Sequence, residues 1–91
     1  MEITPASVLR HNPDRVWRQY LKGVVVEPGI ALNETAASLF LRLDGNRTLE
    51  QICVDLIEEY DTDLATFSAD AVSVATDLFE QGIVVTVDPP G

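Results

Sequence analysis

The segment from residue 29 to residue 52 constrains the fold more than any other part of the chain. Its pattern predicts a short strand that leads directly into a helix, a tight turn, and a second helix with a strong start signal. Asn33 follows the strand, where its side chain can accept a hydrogen bond from a free backbone N–H of the first helix. Thr48 and Gln51 have the spacing of a capping box at the start of the second helix. No nucleophile, metal cluster or phosphate-binding loop accompanies these elements, so the segment predicts a small module that holds another molecule.

Three short strands are predicted in the first third of the chain. Residues 16–21 and 24–26 are rich in β-branched and aromatic side chains, and a Glu-Pro-Gly turn signal separates the second run from residues 30–32. The connections are too short for parallel crossovers, so we expect an antiparallel meander. Residues 7–10 are a candidate for a further extended segment, and residues 11–14 are predicted to form a turn.

The rest of the chain has helical periodicity. The first helix is predicted to end at residues 44–47, with Gly45 in a left-handed C-terminal position. The second begins at the capping box and carries the cleanest amphipathic stripe in the chain. The third is predicted to begin near residues 66–68 and to stop at Gly82. An extended tail over residues 83–87 follows.

This order of elements predicts the fold class: α+β and winged-helix-like, with a three-stranded antiparallel sheet followed by three helices. A chain of 91 residues is expected to form a single domain over residues 1–91, with its core over about residues 14–85.

Charge and composition exclude several classes of function. The formal net charge is −9, and binding of nucleic acid or an anionic membrane normally requires clustered Lys and Arg. No apolar run approaches the roughly 20 residues that span a bilayer, and the N-terminus lacks the pattern of a signal peptide. With Cys53 as the only cysteine, no internal disulfide can form, and a cytoplasmic setting is expected.

The residues that could perform catalysis or hold a metal are few. His11 is the only histidine and falls in the predicted turn, while Cys53 falls in an apolar helical stripe that does not suit a reactive thiol. Zinc needs about four N or S ligands, and the sequence offers two such residues, His11 and Cys53. The acidic cluster at residues 58–63 lacks the spaced ligands of a calcium loop and is interpreted as a solvated helix end. Acyl carrier proteins are also small, acidic and helical, and they carry an exposed serine at the start of a helix. Ser68 lacks the neighbours of such a serine and is interpreted as a helix cap. We therefore expect no enzyme activity, no cofactor and no metal.

Binding at a strand edge remains. An edge strand exposes unpaired backbone groups to which an extended peptide can add itself, and the third helix can form a wall beside it. Two alternatives stay open from the residues alone: the 83–87 tail or a second copy of the chain covers that edge. A winged-helix DNA reader is a further alternative, although three of five exposed positions on the third helix are acidic. Those positions are Asp70, Ser73, Asp77, Glu80 and Gln81.

Three segments of the chain resemble the PqqD family of pyrroloquinoline-quinone biosynthesis and, more broadly, the leader-peptide recognition elements of ribosomally made, modified peptides. They are Val-Val-Val-Glu-Pro-Gly-Ile-Ala-Leu-Asn-Glu-Thr-Ala-Ala (24–37), Leu-Asp-Gly-Asn-Arg-Thr-Leu-Glu-Gln-Ile (43–52) and Leu-Phe-Glu-Gln-Gly-Ile-Val (78–84). The resemblance implies that a leader peptide docks as an added strand between the third strand and the third helix. The positions implied are Ile30, Ala31 and Leu32 on the strand, and Asp70, Val74, Asp77, Leu78 and Gln81 on the helix.

The resemblance also implies a function. Family members are non-catalytic peptide chaperones that present the precursor to a modifying enzyme: a radical-SAM enzyme in the quinone pathway or a leader peptidase in lasso-peptide pathways. The segment Val-Val-Val-Glu-Pro-Gly departs from the Leu-Leu-Tyr-Pro-Glu-Gly typical of quinone-pathway members, but its short turn lies nearer that type than the lasso type. The expected partners are thus a precursor peptide and a modifying enzyme, with a homodimer possible.

Overall fold

The computed structural model describes residues 3–21, 23–27 and 29–87. Nine elements follow one another in these residues. They are β1 (Val8–His11), β2 (Trp17–Tyr20), β3 (Gly23–Val26), β4 (Ile30–Leu32), α1 (Glu34–Arg42), β5 (Asp44–Thr48), α2 (Leu49–Leu56), α3 (Leu64–Glu80) and β6 (Val84–Thr86). The α+β class is confirmed. The predicted order of an antiparallel sheet followed by three helices fits broadly, although β5 lies between α1 and α2 and β6 follows α3.

The predicted meander is present as one sheet in the order β2-β3-β4. Its strands pair antiparallel, with Tyr20 opposite Gly23 and Val26 opposite Ile30. Leu21, in the turn after β2, has a φ of 55°. Positive φ at this position matches the right-handed twist of a tight hairpin, although the conformation suits glycine or asparagine better. β4 lies at one edge of this sheet.

A second three-stranded sheet, in the order β5-β1-β6, was not predicted. The extended segment expected at residues 7–10 becomes β1, and the expected tail becomes β6, with Leu9 opposite Thr86. The prediction that residues 44–47 only terminate the first helix is wrong, because α1 ends at Arg42 and β5 pairs with β1. Gly45 has the expected positive φ of 78°, but it lies within β5, where the pairing register shifts.

Side-chain caps fix where the helices begin. Asn33 Oδ1 accepts from the Ala36 N–H at 2.9 Å, and Thr48 and Gln51 complete both bonds of the predicted capping box. The third helix begins earlier than expected. Asp63 caps it by accepting from the Thr66 N–H at 2.8 Å. The interpretation of Ser68 as a cap is therefore wrong, since Ser68 lies inside α3.

Two glycines were predicted to end helices, and the structure confirms this role for one of them. Gly82 has a φ of 73° and follows the last residues of α3, as predicted for a helix stop. Gly45, by contrast, shows that a left-handed glycine shortly after a helix can also lie inside a strand.

One hydrophobic core connects both sheets and all three helices. Its members include Leu9, Val24, Val26, Leu32, Phe40, Ile52, Leu56, Leu78 and Val84. Cys53 is fully buried within it, as expected, and desolvation raises the pKa of its thiol. No helix in the described part of the chain is long and apolar enough to cross a bilayer.

His11 joins the two sheets to α1. It ends β1 and does not lie in the turn predicted for it. Its ring stacks on Phe40 at 4.0 Å, its Nε2 donates to the Phe40 carbonyl at 2.6 Å, and Trp17 of β2 packs edge-on against both rings. The imidazole therefore has a packing role.

Candidate functional site

The outer edge of β4 exposes backbone hydrogen-bonding groups. The Glu27 N–H donates to the Val16 carbonyl at 2.8 Å, so residue 27 directs its backbone groups at β2. Backbone direction alternates along an antiparallel strand, so Val25 also bonds β2, whereas Val24 and Val26 bond β4. Their partners on β4 are Leu32 and Ile30, respectively.

The backbone N–H and C=O of Ala31 are therefore directed away from the sheet. It stands opposite Val25, whose N–H and C=O are directed at β2, so the N–H and C=O of Ala31 point to the open side of β4. The close approach of Gly23 agrees with this geometry: a Cβ added to Gly23 would lie 2.6 Å from the carbonyl oxygen of Leu32, which faces β3. The Ala31 side chain is exposed as well.

The described tail does not cover this edge. Val84–Thr86 pair with β1 in the other sheet, and Val87 donates to the Val8 carbonyl at 2.8 Å. Within residues 3–21, 23–27 and 29–87, β4 pairs with β3 alone. Of the two alternatives that the sequence left open for this edge, covering by residues 83–87 is excluded.

Helix α1 packs against both β4 and α3. A pocket of about 40 Å³ opens between α1 and α3. It is lined by Thr35 and Leu39 from α1 and by Phe67, Asp70, Ala71 and Val74 from α3. Because Asn33 alone separates β4 from α1, Thr35 lies only four residues beyond Ala31, which limits their Cα separation to about 14 Å.

The predicted site residues are distributed over these surfaces. On β4, Ala31 is exposed, Ile30 is half-buried and Leu32 is largely buried. Asp70 and Val74 lie at the pocket between α1 and α3. The remaining positions lie farther along α3: Asp77 and Gln81 are exposed, whereas Leu78 is buried in the core.

Helical spacing brings four of the α3 positions together. Residues 70, 74, 77 and 81 follow one another at intervals of four, three and four, which places them on one face. The other pocket residues were missed by sequence reasoning. Thr35 and Leu39 have the i, i+4 spacing of neighbours on a helix, and Phe67 and Ala71 have the same spacing. Helical periodicity therefore indicated each half of the pocket, but nothing in the sequence indicated that the two halves are in contact.

Arg15, which sequence reasoning also missed, connects the two ends of this region. Its Nη1 donates to the Gln81 carbonyl at 2.7 Å and its Nη2 donates to the Glu27 carbonyl at 3.0 Å. A cation at the C-terminus of a helix is also favoured by the helix dipole. Arg15 thus connects the end of α3 to the turn that precedes β4.

The charge along α3 is negative. Within the described ranges, no hydrogen bond or ion pair reaches the carboxylates of Asp70 and Asp77. The ion pairs found there join Arg42 to Glu59 and Arg47 to Asp44 and Asp55, away from this face. The two α3 carboxylates therefore remain available to a partner. The structure also shows no group of metal-ligating side chains among the residues that it describes.

A strand edge with free main-chain groups, beside an apolar pocket and a helix, defines a class of small α+β domain suited to binding an extended chain. Comparison with known proteins identifies the family. The family model described as "Coenzyme PQQ synthesis protein D (PqqD)" matches residues 23–84, which is about two thirds of the chain. The chain belongs to the PqqD family, a family of recognition elements for ribosomally made precursor peptides. No curated protein and no solved structure matches it.

Proposed function

We propose that this chain is a non-catalytic chaperone that binds the leader segment of a ribosomally made precursor peptide by strand addition to β4. It presents that peptide to a modifying enzyme in the cytoplasm. A radical-SAM enzyme of the quinone-pathway type is the favoured partner, because the turn before β4 is short; delivery to a leader peptidase is the alternative. The open edge at Ala31 is the observation that carries the proposal.

Main-chain pairing contributes only part of the affinity. β4 has three residues, and Ala31 is the one whose N–H and C=O both face the open side. Two neutral hydrogen bonds contribute about 2 kcal/mol net, whereas micromolar binding requires about 8 kcal/mol. Side-chain contacts must supply the rest. The pocket between α1 and α3 offers apolar surface for them.

Each residue of the groove has a role in this proposal. Ile30 and Leu32 hold β4 on β3, and Ala31 pairs with the guest strand. Val74 and Asp70 contact its side chains, and Asp77 and Gln81 extend the same wall. Leu78 supports the wall from within the core, since it is only 2% exposed.

The rival functions make different demands. A DNA reader would place α3 against phosphates, but Asp70, Asp77 and Glu80 are exposed on that helix, and they repel phosphate. A homodimer that pairs two copies of β4 uses the same edge, so a peptide that binds there would dissociate it. The molecular mass of the free chain and of the peptide complex distinguishes these cases.

A titration tests the proposal. The ¹⁵N-labelled chain is mixed with the leader segment of the precursor peptide encoded beside its gene, and backbone amide shifts are recorded. We expect changes at Ile30, Ala31 and Leu32 and along the exposed face of α3. Changes confined to other regions would exclude the proposed groove.

Substitution at one position separates strand addition from other modes of binding. Ala31→Pro removes the outward N–H without breaking a bond to β3, so the chain should still fold. Loss of one main-chain bond, at about 1 kcal/mol, weakens peptide binding by about fivefold. Ala31→Val keeps the N–H and is the matched control. Equal affinity of the two variants would contradict strand addition.

A further inference from the structure

The pocket between α1 and α3 is small and mostly apolar. Leu39, Phe67, Ala71 and Val74 contribute hydrocarbon surface, and Asp70 contributes a carboxylate. Leu39 and Ala71 are buried, and Val74 is half-buried. The pocket therefore offers an apolar interior with an acidic group beside it.

The size of the pocket limits the side chain that fits. Its volume is about 40 Å³, whereas a cavity of about 150 Å³ holds a benzene ring. The pocket is therefore too small to enclose an aromatic ring. The aliphatic side chains of valine, leucine and isoleucine, with three or four carbon atoms, suit it better.

The charge beside the pocket favours a cation. Asp70 and Asp77 are seven residues apart on α3, which places them on one face with about 10 Å between them along the helix axis. Each is exposed, and nothing in the described part of the chain neutralises either carboxylate. A guest strand that runs beside α3 passes both within about three residues, because a strand rises about 3.3 Å per residue.

We propose that the groove selects an extended peptide that places one aliphatic side chain of three or four carbons in this pocket, with a lysine or arginine within two residues of it. Two residues separate neighbours on the same face of a strand, so a basic side chain at that spacing faces Asp70 while the aliphatic one is buried. This inference rests on the proposed function and specifies the peptide that it requires.

Selection from a phage-displayed library of random twelve-residue peptides against the full chain tests the inference. Valine, leucine or isoleucine is expected to be enriched together with Lys or Arg within two positions. In a synthetic peptide of the selected sequence, replacing the aliphatic residue by alanine should weaken binding. For valine the loss is about 15-fold, since each of two buried carbons accounts for about fourfold.

A charge variant with a matched control tests the acidic rim. Asp70→Asn should weaken binding of the selected peptide about two- to fivefold at low salt, and the difference should shrink at high salt. Glu50→Gln removes the same charge from an exposed position on α2, outside the pocket, and should leave affinity within about 1.5-fold.

The outcomes separate this inference from the proposed function. Selected peptides that shift the Ala31 and Val74 amides but carry aromatic or acidic residues in place of the aliphatic-basic pair would overturn the inference and leave peptide capture intact. Equal losses for Asp70→Asn and Glu50→Gln would overturn the acidic part. Selected peptides that leave both amides unchanged would overturn capture at this groove, and the inference with it.

Discussion

Replacing Arg15 by alanine should loosen the connection between the end of α3 and the turn before β4. Its guanidinium donates two hydrogen bonds, to the Gln81 and Glu27 carbonyls at 2.7 and 3.0 Å, and so fixes the end of α3 to the turn before β4. Both bonds are exposed, so each contributes about 0.5–1 kcal/mol and the pair about 1–2 kcal/mol. For a chain of this size, a loss of 1 kcal/mol lowers Tm by about 4–8 °C.

Urea denaturation followed by the fluorescence of Trp17, the only tryptophan, measures this loss. Arg15→Lys keeps the charge but has a single donor group, so it should recover about half of the stability. Arg18→Ala is the control, because Arg18 is exposed on β2 and forms no ion pair within the described segments. If Arg15→Ala costs no more than Arg18→Ala, the connection through Arg15 has no structural role.

Three further predictions concern local structure. The Thr66 N–H holds the pKa of Asp63 below its usual value of 3.8, so the stability that its charge contributes is present above about pH 4 and lost as pH falls through the lowered pKa. Urea denaturation at about pH 6 and about pH 3 should therefore show wild type losing stability relative to Asp63→Asn, which caps without titrating; a constant difference would contradict this. Gly45→Ala should cost about 1–2 kcal/mol in unfolding free energy, because a φ of 78° is unfavourable for a side chain. Gly29→Ala, where an added Cβ meets no atom within 4 Å, should change it by less than about 0.5 kcal/mol, and equal effects would refute the argument. Cys53 should react with a maleimide only as fast as the chain unfolds, because it is fully buried and desolvation raises its pKa; rapid labelling of the folded chain would show an open core.

Local signals in the sequence predicted much of this fold. The β2-β3-β4 meander follows from short turns, and the caps at Asn33 and Thr48 follow from residue type and spacing. Gly82 stops α3 for the same local reason. Each of these features depends on residues a few positions apart, which is the range over which sequence patterns act directly.

The second sheet could not be predicted in this way. β5 pairs with β1 across more than thirty residues, and its Asp-Gly-Asn-Arg sequence is typical of a turn. Part of that turn chemistry persists, since Asp44 Oδ1 accepts from the Asn46 N–H at 2.9 Å, which is the main cause of the lowered pKa of Asp44. Pairing with β1 decides the strand, and that contact is not visible locally.

The start of α3 shows a competition between two local signals. Asp63 and Ser68 are both good cap residues. Asp63 prevails because a start at Leu64 also brings Phe67 onto the buried face, at i+3 from Leu64. The prediction near residues 66–68 gave too little weight to that apolar pair.

The same distinction, between features set by neighbouring residues and features set by tertiary packing, applies to the candidate site. The resemblance at residues 24–52 and 78–84 pointed to β4 and α3. The half of the pocket from α1 depends on how two helices pack, and Arg15 reaches its two carbonyls from a loop that carries no recognisable pattern. Residues brought together by tertiary packing were therefore found only in the structure.

Hydrogen exchange at the Ala31 amide tests the central claim most directly. In the free chain, the Ile30 and Leu32 amides should be protected by β3, while the Ala31 amide should exchange almost as fast as an open one, because its N–H faces the unpaired edge. A bound peptide strand should slow exchange at Ala31 by at least about fivefold, the factor that corresponds to a new main-chain hydrogen bond of about 1 kcal/mol. Exchange at its two neighbours should stay nearly unchanged. Protection of Ala31 already in the free monomer, or none gained in the peptide complex, would contradict capture by strand addition.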